Sequence, residues 1–261
     1  MAVLLEGKTV IITGVGAGLG RECVERALRE GANVVVAART QETLDALAKE
    51  LDPDGRRLAI KATDITDAEA CEALVAHATE RFGSVDALVQ VAAYEYVFGG
   101  LHETDLDTWR KAFETNVLGA MTVLRPVAKA MEANGGGSVV LIGSQSMFKP
   151  SMPQAGYAAS KSALLTAMYY LADELGAQNI RCNMVVPSWM WGPPVQMYVG
   201  MQADGTGRTE DEVLHGIVGD FPLKRMTEDG EVADVVMFFA SDLAKAVTGQ
   251  HLMVNSGELM R

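Results

Sequence analysis

The 261-residue chain is poor in basic residues, cysteine, histidine and aromatics. Lys and Arg number 22 against 34 Asp and Glu, a net charge of −12, so the overall field repels polyphosphates. Nucleic-acid binding draws on a basic stripe that releases counterions, and none stands out, which argues against such a partner. The three cysteines (Cys23, Cys71 and Cys182) are an odd number, far apart, with no C-x-x-C pair. That excludes a disulfide framework or a zinc site and fits a reducing cytosol. The four histidines (His77, His102, His215 and His251) are dispersed, so no metal is expected. With 26 Gly and 8 Pro the chain is neither collagen-like nor of low complexity.

Long apolar runs are also scarce. Glu6 and Lys8 bring charge too early for a secretory leader. The 22 residues from Cys182 to Ala203 carry no charge, enough in length to cross a bilayer. Pro187, Gly192, Pro193, Pro194 and Gly200 would leave backbone groups unpaired in lipid, so a soluble, cytoplasmic protein is expected.

What is present is a 49% hydrophobic chain, enough for one sizeable core over residues 1–261. Short β-branched segments at 8–13, 33–38, 57–63, 85–91, 137–143 and 179–186 alternate with helical periods near 18–30, 41–51, 67–82, 107–133 and 156–177. A helix at 230–241 and a strand near 250–254 follow. Several strands are apolar on both faces, as parallel strands covered on each side are. The alternation predicts an α/β fold: a doubly wound parallel sheet of Rossmann type flanked by helices, a three-layer sandwich. Residues 187–228, rich in Met, Trp, Pro and Gly, read as a long irregular insertion after the sixth strand. That end of an open α/β sheet is where ligands sit, so the insertion is expected to be a substrate lid.

The first strand runs into Thr13-Gly14-Val15-Gly16-Ala17-Gly18-Leu19-Gly20 and then a helix. Glycines let the backbone turn sharply and approach a pyrophosphate, and the helix start offers N–H groups and partial positive charge. The spacing is T-G-x-x-x-G-x-G rather than G-x-G-x-x-G. The second strand ends in Ala37-Ala38-Arg39-Thr40, where an acid would bind the ribose of NAD and an Arg the 2′-phosphate of NADP. Arg39 favours NADP over NAD, with a solvated helix-start residue as its other reading. Asp64, after the third strand, reads equally as an acceptor for an adenine amino group or as a helix cap, a task open to Asp67 too.

Tyr157-Ala-Ala-Ser-Lys161 places a phenol and an ammonium on one helix face. Ser144 ends the fifth strand, and Asn116 lies inside the preceding long helix. With Thr13–Gly20, Asp64, Asn116, Ser144, Tyr157/Lys161 and Val186-Pro187 in order along nearly the whole chain, the sequence resembles the short-chain dehydrogenase/reductase family, in its single-domain branch of about 250 residues. The resemblance implies an NAD(P)-dependent oxidoreductase interconverting a secondary alcohol and a ketone. Tyr157 would exchange the proton, and the Lys161 cation is expected to lower its pKa. Lys161 would also hold the nicotinamide ribose, Ser144 would donate to the substrate oxygen, and Asn116 would hold a water joining Lys161 to solvent. The resemblance places Ile65, Ala92, Pro187 and Met190 along the cofactor with the glycine turn.

Three segments depart from the family pattern. Gln90-Val91-Ala92-Ala93 stands where N-N-A-G is usual, Gly192 where a threonine helps hold the cofactor, and Asn255-Ser256-Gly257 where D-G-G is usual. The candidate substrate residues are Tyr94, Tyr96, Ser146, Gln154, Trp189 and Trp191, with Phe98, Met147, Phe148, Met197, Tyr198 and Met201 nearby. Flat aromatics, adaptable methionines and no basic cluster point to a bulky apolar alcohol or ketone, alicyclic, terpenoid or steroid-like. A 3-oxoacyl thioester reductase and a non-catalytic dinucleotide sensor are the alternatives; the intact catalytic set argues against the sensor. Small and apolar residues on several faces of 107–133 and 156–177 suggest burial on both sides, and the family resemblance implies a homotetramer through these helices.

Overall fold

A computed structural model describes residues 3–261; Met1 and Ala2 lie outside the described residues. The apolar segments form strands β1 (Thr9–Thr13), β2 (Asn33–Ala38), β3 (Leu58–Ala62), β4 (Ala87–Gln90), β5 (Gly137–Ile142), β6 (Ile180–Pro187) and β7 (His251–Val254). They pair throughout in parallel, in the order β3-β2-β1-β4-β5-β6-β7. The direction of winding reverses between β1 and β4, which opens a crevice at their carboxyl ends.

Strand alternation divides the core into two layers. Val10 and Ile12 of β1 face α1 (Leu19–Arg29), α2 (Gln41–Leu51) and α9 (Asp229–Ala240), burying Cys23, Leu44 and Val236. Ile11, between them, faces α3 (Ala68–Phe82), α5 (Ala120–Ala133) and α6 (Ala155–Glu174), with Leu74, Val123 and Leu164. Asp67 caps α3 by accepting from the N–H groups of Glu69 and Ala70, and Gly83 ends that helix in a left-handed turn. All three cysteines are buried and unpaired. Among the described residues no helix is long and apolar enough to cross a membrane.

Two expected elements differ. The helix expected over 107–133 is α4 (Leu106–Phe113), a wide π-helical turn (Glu114–Gly119) and then α5. The wide turn buries Asn116 and brings Gly119 so near Ile65 that a Cβ would sit 3.0 Å from its Cγ1. Such turns widen a helix around a functional side chain, and a 3.6-residue period read over a long stretch does not register one.

The insertion at 187–228 is not irregular. It contains α7 (Pro193–Thr206) and α8 (Glu210–Val218). Val199 and Ala203 pack on Val213, with Trp191, Val195 and Tyr198 around them. The apolar residues of α7 do not gather into one stripe, which hid its period. The start of α8 was legible, because Thr209 and Glu212 form a reciprocal capping box. A bridge between Met190 and Thr227 ties the two ends of this excursion together.

Gly14 is closely packed in the crevice. It has φ 76°, and a Cβ there would lie 2.3 Å from the Ala92 Cα and N. Gly14→Ala is therefore predicted to cost about 3 kcal/mol or more, from positive-φ strain plus a backbone clash that cannot relax. An unchanged urea midpoint would contradict this packing.

Candidate active site

Gly14, Gly16, Ala17, Gly18, Leu19 and Gly20 lie at the crevice between the end of β1 and the start of α1. Gly20 packs so closely that a Cβ would sit 2.3 Å from the Gly14 carbonyl oxygen. Gly18 is the N-cap of α1 at φ 99° and supplies no side-chain cap, so the first N–H groups of the helix have no side-chain partner at this cap. An uncapped helix start with glycine-only close approach fits the diphosphate of a dinucleotide. Gln90 accepts from the Thr13 hydroxyl and donates to the Ala92 carbonyl at 3.1 Å, joining β1 to β4 without the family's usual asparagine.

Farther along the sheet edge, Arg39 is exposed and has no ion-pair partner among the described residues. Asp64 is not the cap of α3. Its Oδ1 accepts from Thr66 N at 3.0 Å and Thr66 Oγ1 at 2.7 Å. These bonds, with help from Arg39, hold its carboxyl below the usual range. Ile65 is buried next to it. Pro187 ends β6, and Met190 lies at the mouth of the excursion, accepting from Gly192 N at 2.8 Å.

Tyr157, Lys161 and Ser144 converge where α6 crosses the end of β5. Lys161 is buried, and its Nζ donates to the Ile142 carbonyl at 2.7 Å. The same Nζ lies 5.8 Å from the centre of the Tyr157 ring. Ser144 accepts from Ser146 Oγ at 2.9 Å and Ser146 N at 3.3 Å. With those acceptor positions filled, its own hydroxyl proton is left to be donated.

Asn116 is held by protein groups. Its Oδ1 accepts from Tyr94 N at 2.6 Å, and its Nδ2 donates to Tyr94 O at 3.0 Å and Ser160 Oγ at 2.9 Å. Ser160 in turn donates to the Tyr157 carbonyl at 2.7 Å. Asn116 thus clamps the loop after β4 to the helix bearing Tyr157 and Lys161, a connection through Ser160 that the sequence reading missed.

The electrostatics correct one expectation. Tyr157 is raised above the usual phenol value rather than lowered: burial dominates and Glu95 adds to it, while the Ser144 hydroxyl acts the other way. Burial also brings Lys161 down to about 8, with Glu95 opposing. Glu95, an exposed side chain between Tyr94 and Tyr96, thus bears on both members of the pair. Its only sequence signal is an acid set between two aromatics immediately after β4.

Of the candidate substrate residues, Tyr94 and Tyr96 stack edge to face at 5.8 Å. Gln154 is the N-cap of α6, with no side-chain cap bond. Trp189 packs on Tyr198 at 5.5 Å and on the core of the excursion. Trp191 lines a cleft of about 640 Å³ beside Ala17 and Gly18, which places it next to the glycine turn. Met197 and Met201 are exposed. Phe148 faces His251 and the Arg261 guanidinium, whose carbon lies 4.3 Å from the ring.

The end of the chain reaches the same loop. Asn255 Nδ2 donates to the buried Gln145 at 2.6 Å, next to Ser144, and Glu258 accepts from Lys149 Nζ at 3.0 Å and from the Ser188 hydroxyl. Where a threonine is usual, Gly192 leaves room that the Asp229 carboxylate takes: a Cβ there would lie 2.7 Å from its Oδ2.

A family model described as Enoyl-(Acyl carrier protein) reductase matches residues 14–258. The chain is 30% identical over 257 residues to 2,3-dihydro-2,3-dihydroxybenzoate dehydrogenase of Bacillus subtilis, covering 97% of this chain and 96% of the relative. It is 28% identical to 7alpha-hydroxysteroid dehydrogenase of Bacteroides fragilis, over 97% of this chain and 94% of that one. L-sorbose reductase of Gluconobacter frateurii, solved with NADPH and L-sorbose, superposes with a TM-score of 0.92 at 27% identity, over 100% of each chain.

Burial of Lys161 has a measurable stability consequence. Its folded pKa of about 8 lies below the usual 10.5, so the unfolded chain binds more protons between those values and stability rises with pH there. Lys161→Met has no ammonium to titrate. Relative to the variant, the native protein is predicted to gain roughly 1.5 kcal/mol between pH 8 and 9.5. Parallel urea titrations at the two pH values check it, and a constant difference would contradict it.

Proposed function

The chain belongs to the short-chain dehydrogenase/reductase family, and from that premise we propose which of its residues carry the reaction. It is an NAD(P)-dependent oxidoreductase that interconverts a secondary alcohol and a ketone. The bound nicotinamide supplies or accepts the hydride. The observation that carries the assignment of roles is the convergence of Tyr157, Ser144 and buried Lys161 at the carboxyl end of β5.

In this reading Tyr157 exchanges the proton with the substrate oxygen. Raised by burial and by Glu95, its phenol is protonated at neutral pH, the form that donates to a carbonyl oxygen when a ketone is reduced. Ser144, its acceptor positions filled by Ser146, donates to the same oxygen and steadies developing negative charge. Lys161 holds the nicotinamide ribose and is the cation that eases phenolate formation when the reaction runs as oxidation. Asn116 fixes the Tyr94 peptide and, through Ser160, the start of α6. The glycine turn with Ile65, Ala92, Pro187 and Met190 binds the dinucleotide, and Asp64 accepts from the adenine amino group through an oxygen that Thr66 does not use.

Exposed, unpaired Arg39 at the end of β2 supports NADP(H) over NAD(H). Tyr94, Tyr96, Ser146, Gln154, Trp189 and Trp191 border the substrate, the excursion at 187–228 closing over it. Aromatic walls and the lone acid Glu95 suit a bulky, uncharged cyclic ketone, in line with the hydroxysteroid relative. The description of the matching family model keeps an acyl thioester substrate as the second reading. Leu106, Phe113, Leu118, Tyr169 and Tyr170, exposed on α4 to α6, support a homotetramer through these helices. Three buried thiols agree with a cytoplasmic setting.

A panel of cyclic ketones, sugars and acetoacetyl-CoA, run with NADPH and NADH, tests substrate and cofactor together; preference for sugars or the thioester overturns the apolar assignment. Tyr157→Phe is predicted to lower kcat by roughly a thousandfold while cofactor still binds. Arg39→Ala should raise KM for NADPH about tenfold with little change for NADH, and equal effects on both would refute the phosphate contact. Glu95→Gln removes a charge that raises Tyr157 and Lys161, so the acid limb of kcat/KM for alcohol oxidation should move to lower pH by roughly half a unit.

A further inference from the structure

Asp229 is the first residue of α9, and its carboxylate is wedged between two other helix starts. A Cβ on Gly18, the N-cap of α1, would lie 3.3 Å from Asp229 Oδ2, and one on Gly192, the N-cap of α7, only 2.7 Å away. Pro193 and Pro194 open α7 and bring no N–H, so that helix start has little to offer an anion. No hydrogen bond or ion pair reaches the Asp229 carboxylate among the described residues.

The nearby cations are already engaged. Arg21 pairs with Glu25 at 2.8 Å and with Glu50, and Arg26 with Glu22 at 3.3 Å and Asp234 at 2.9 Å. Glu231, two residues on, is held by Arg225 at 2.6 Å. Burial first, then the charges of Glu22 and Glu228, holds the Asp229 carboxyl above the usual range. The starts of α9 and α1 attract this half-buried carboxylate, which thereby occupies the uncapped end of α1 without a hydrogen-bond partner of its own.

We infer that Asp229 is a negative determinant of cofactor affinity: its carboxylate faces the site of the dinucleotide diphosphate across Gly18 and Gly192 and weakens binding by charge repulsion. Glycine at 192 is what lets the carboxylate approach, since a Cβ there would displace it, and at Gly18 a Cβ would already be a tight contact. The benefit of such a residue is turnover. Where release of the oxidised cofactor limits the cycle, a fixed negative charge beside the diphosphate speeds departure.

The inference rests on the dinucleotide reading of the cleft, and the test separates the two. Dissociation constants of NADP+, ADP-ribose and adenosine are measured by titration calorimetry for the native protein, Asp229→Asn and Asp229→Ser at low and high salt. Asp234→Asn serves as a control on the same helix. Removing the Asp229 charge should tighten NADP+ and ADP-ribose by about tenfold at low salt, less at high salt, and leave adenosine, which has no phosphate, unchanged. Asp234→Asn should do neither. Equal or weaker binding of ADP-ribose by both Asp229 variants overturns the inference alone, as does equal tightening of adenosine. Absence of binding by every form overturns the dinucleotide reading together with it. The serine variant keeps a polar group at the helix start, so a folding defect peculiar to asparagine does not spare the proposal.

Discussion

A single buried hydrogen bond, from the Lys161 ammonium to the Ile142 carbonyl, sets the geometry on which the rest of the site depends. It joins the first turns of α6 to the end of β5, so the helix bearing Tyr157 cannot rotate or slide without exposing an unpaired buried charge. Ser144 follows Ile142 by two residues, so the strand end that accepts this bond also carries the serine. Asn116 adds a second tie through Ser160, and the π-helical turn exists at the point where that tie is made. Ser144, Tyr157 and Lys161 are therefore built on a strand end and a helix start locked to each other, and only the walls around them come from loops.

The crevice carries two opposed electrostatic tendencies. The glycine turn and the start of α1 invite anions, whereas Glu95 near the phenol and Asp229 near the turn repel them. Two of the chain's carboxylates thus stand beside the crevice, Glu95 exposed and Asp229 half-buried. At Tyr157, burial first and then Glu95 disfavour the charged phenolate. The cost of charging that phenol falls on the oxidative direction, where Lys161, itself brought down to about 8, must offset both burial and Glu95.

Much of this was legible in the sequence because it rests on local rules. Strand segments such as 33–38 and the helix at 41–51 have the bounds that their apolar periods indicate. The turn at 13–20 and the Tyr157/Lys161 pair announce themselves by spacing. What escaped depends on contacts between distant parts. The π-helical turn around Asn116 follows from side-chain bonds to Tyr94 and Ser160, and α7 from packing on α8 rather than from any stripe of its own. The sign of the Tyr157 shift is not legible in the sequence, because pairing with Lys161 is a matter of spacing, whereas burial and the proximity of Glu95 appear only in three dimensions. Asp229 reads in the sequence as one more acid at a helix start, and only the fold sets it against Gly18 and Gly192.

The clasp between Asn255 and Gln145 spans 110 residues and ends one position from Ser144. The Lys149–Glu258 pair and the Arg261–Phe148 contact hold the same segment down. The pose of the serine hydroxyl is accordingly set in part by a tail that meets no reacting atom. Substitutions among those last few residues therefore act on the loop that carries Ser144 through Gln145, Phe148 and Lys149, without touching Tyr157 or Lys161.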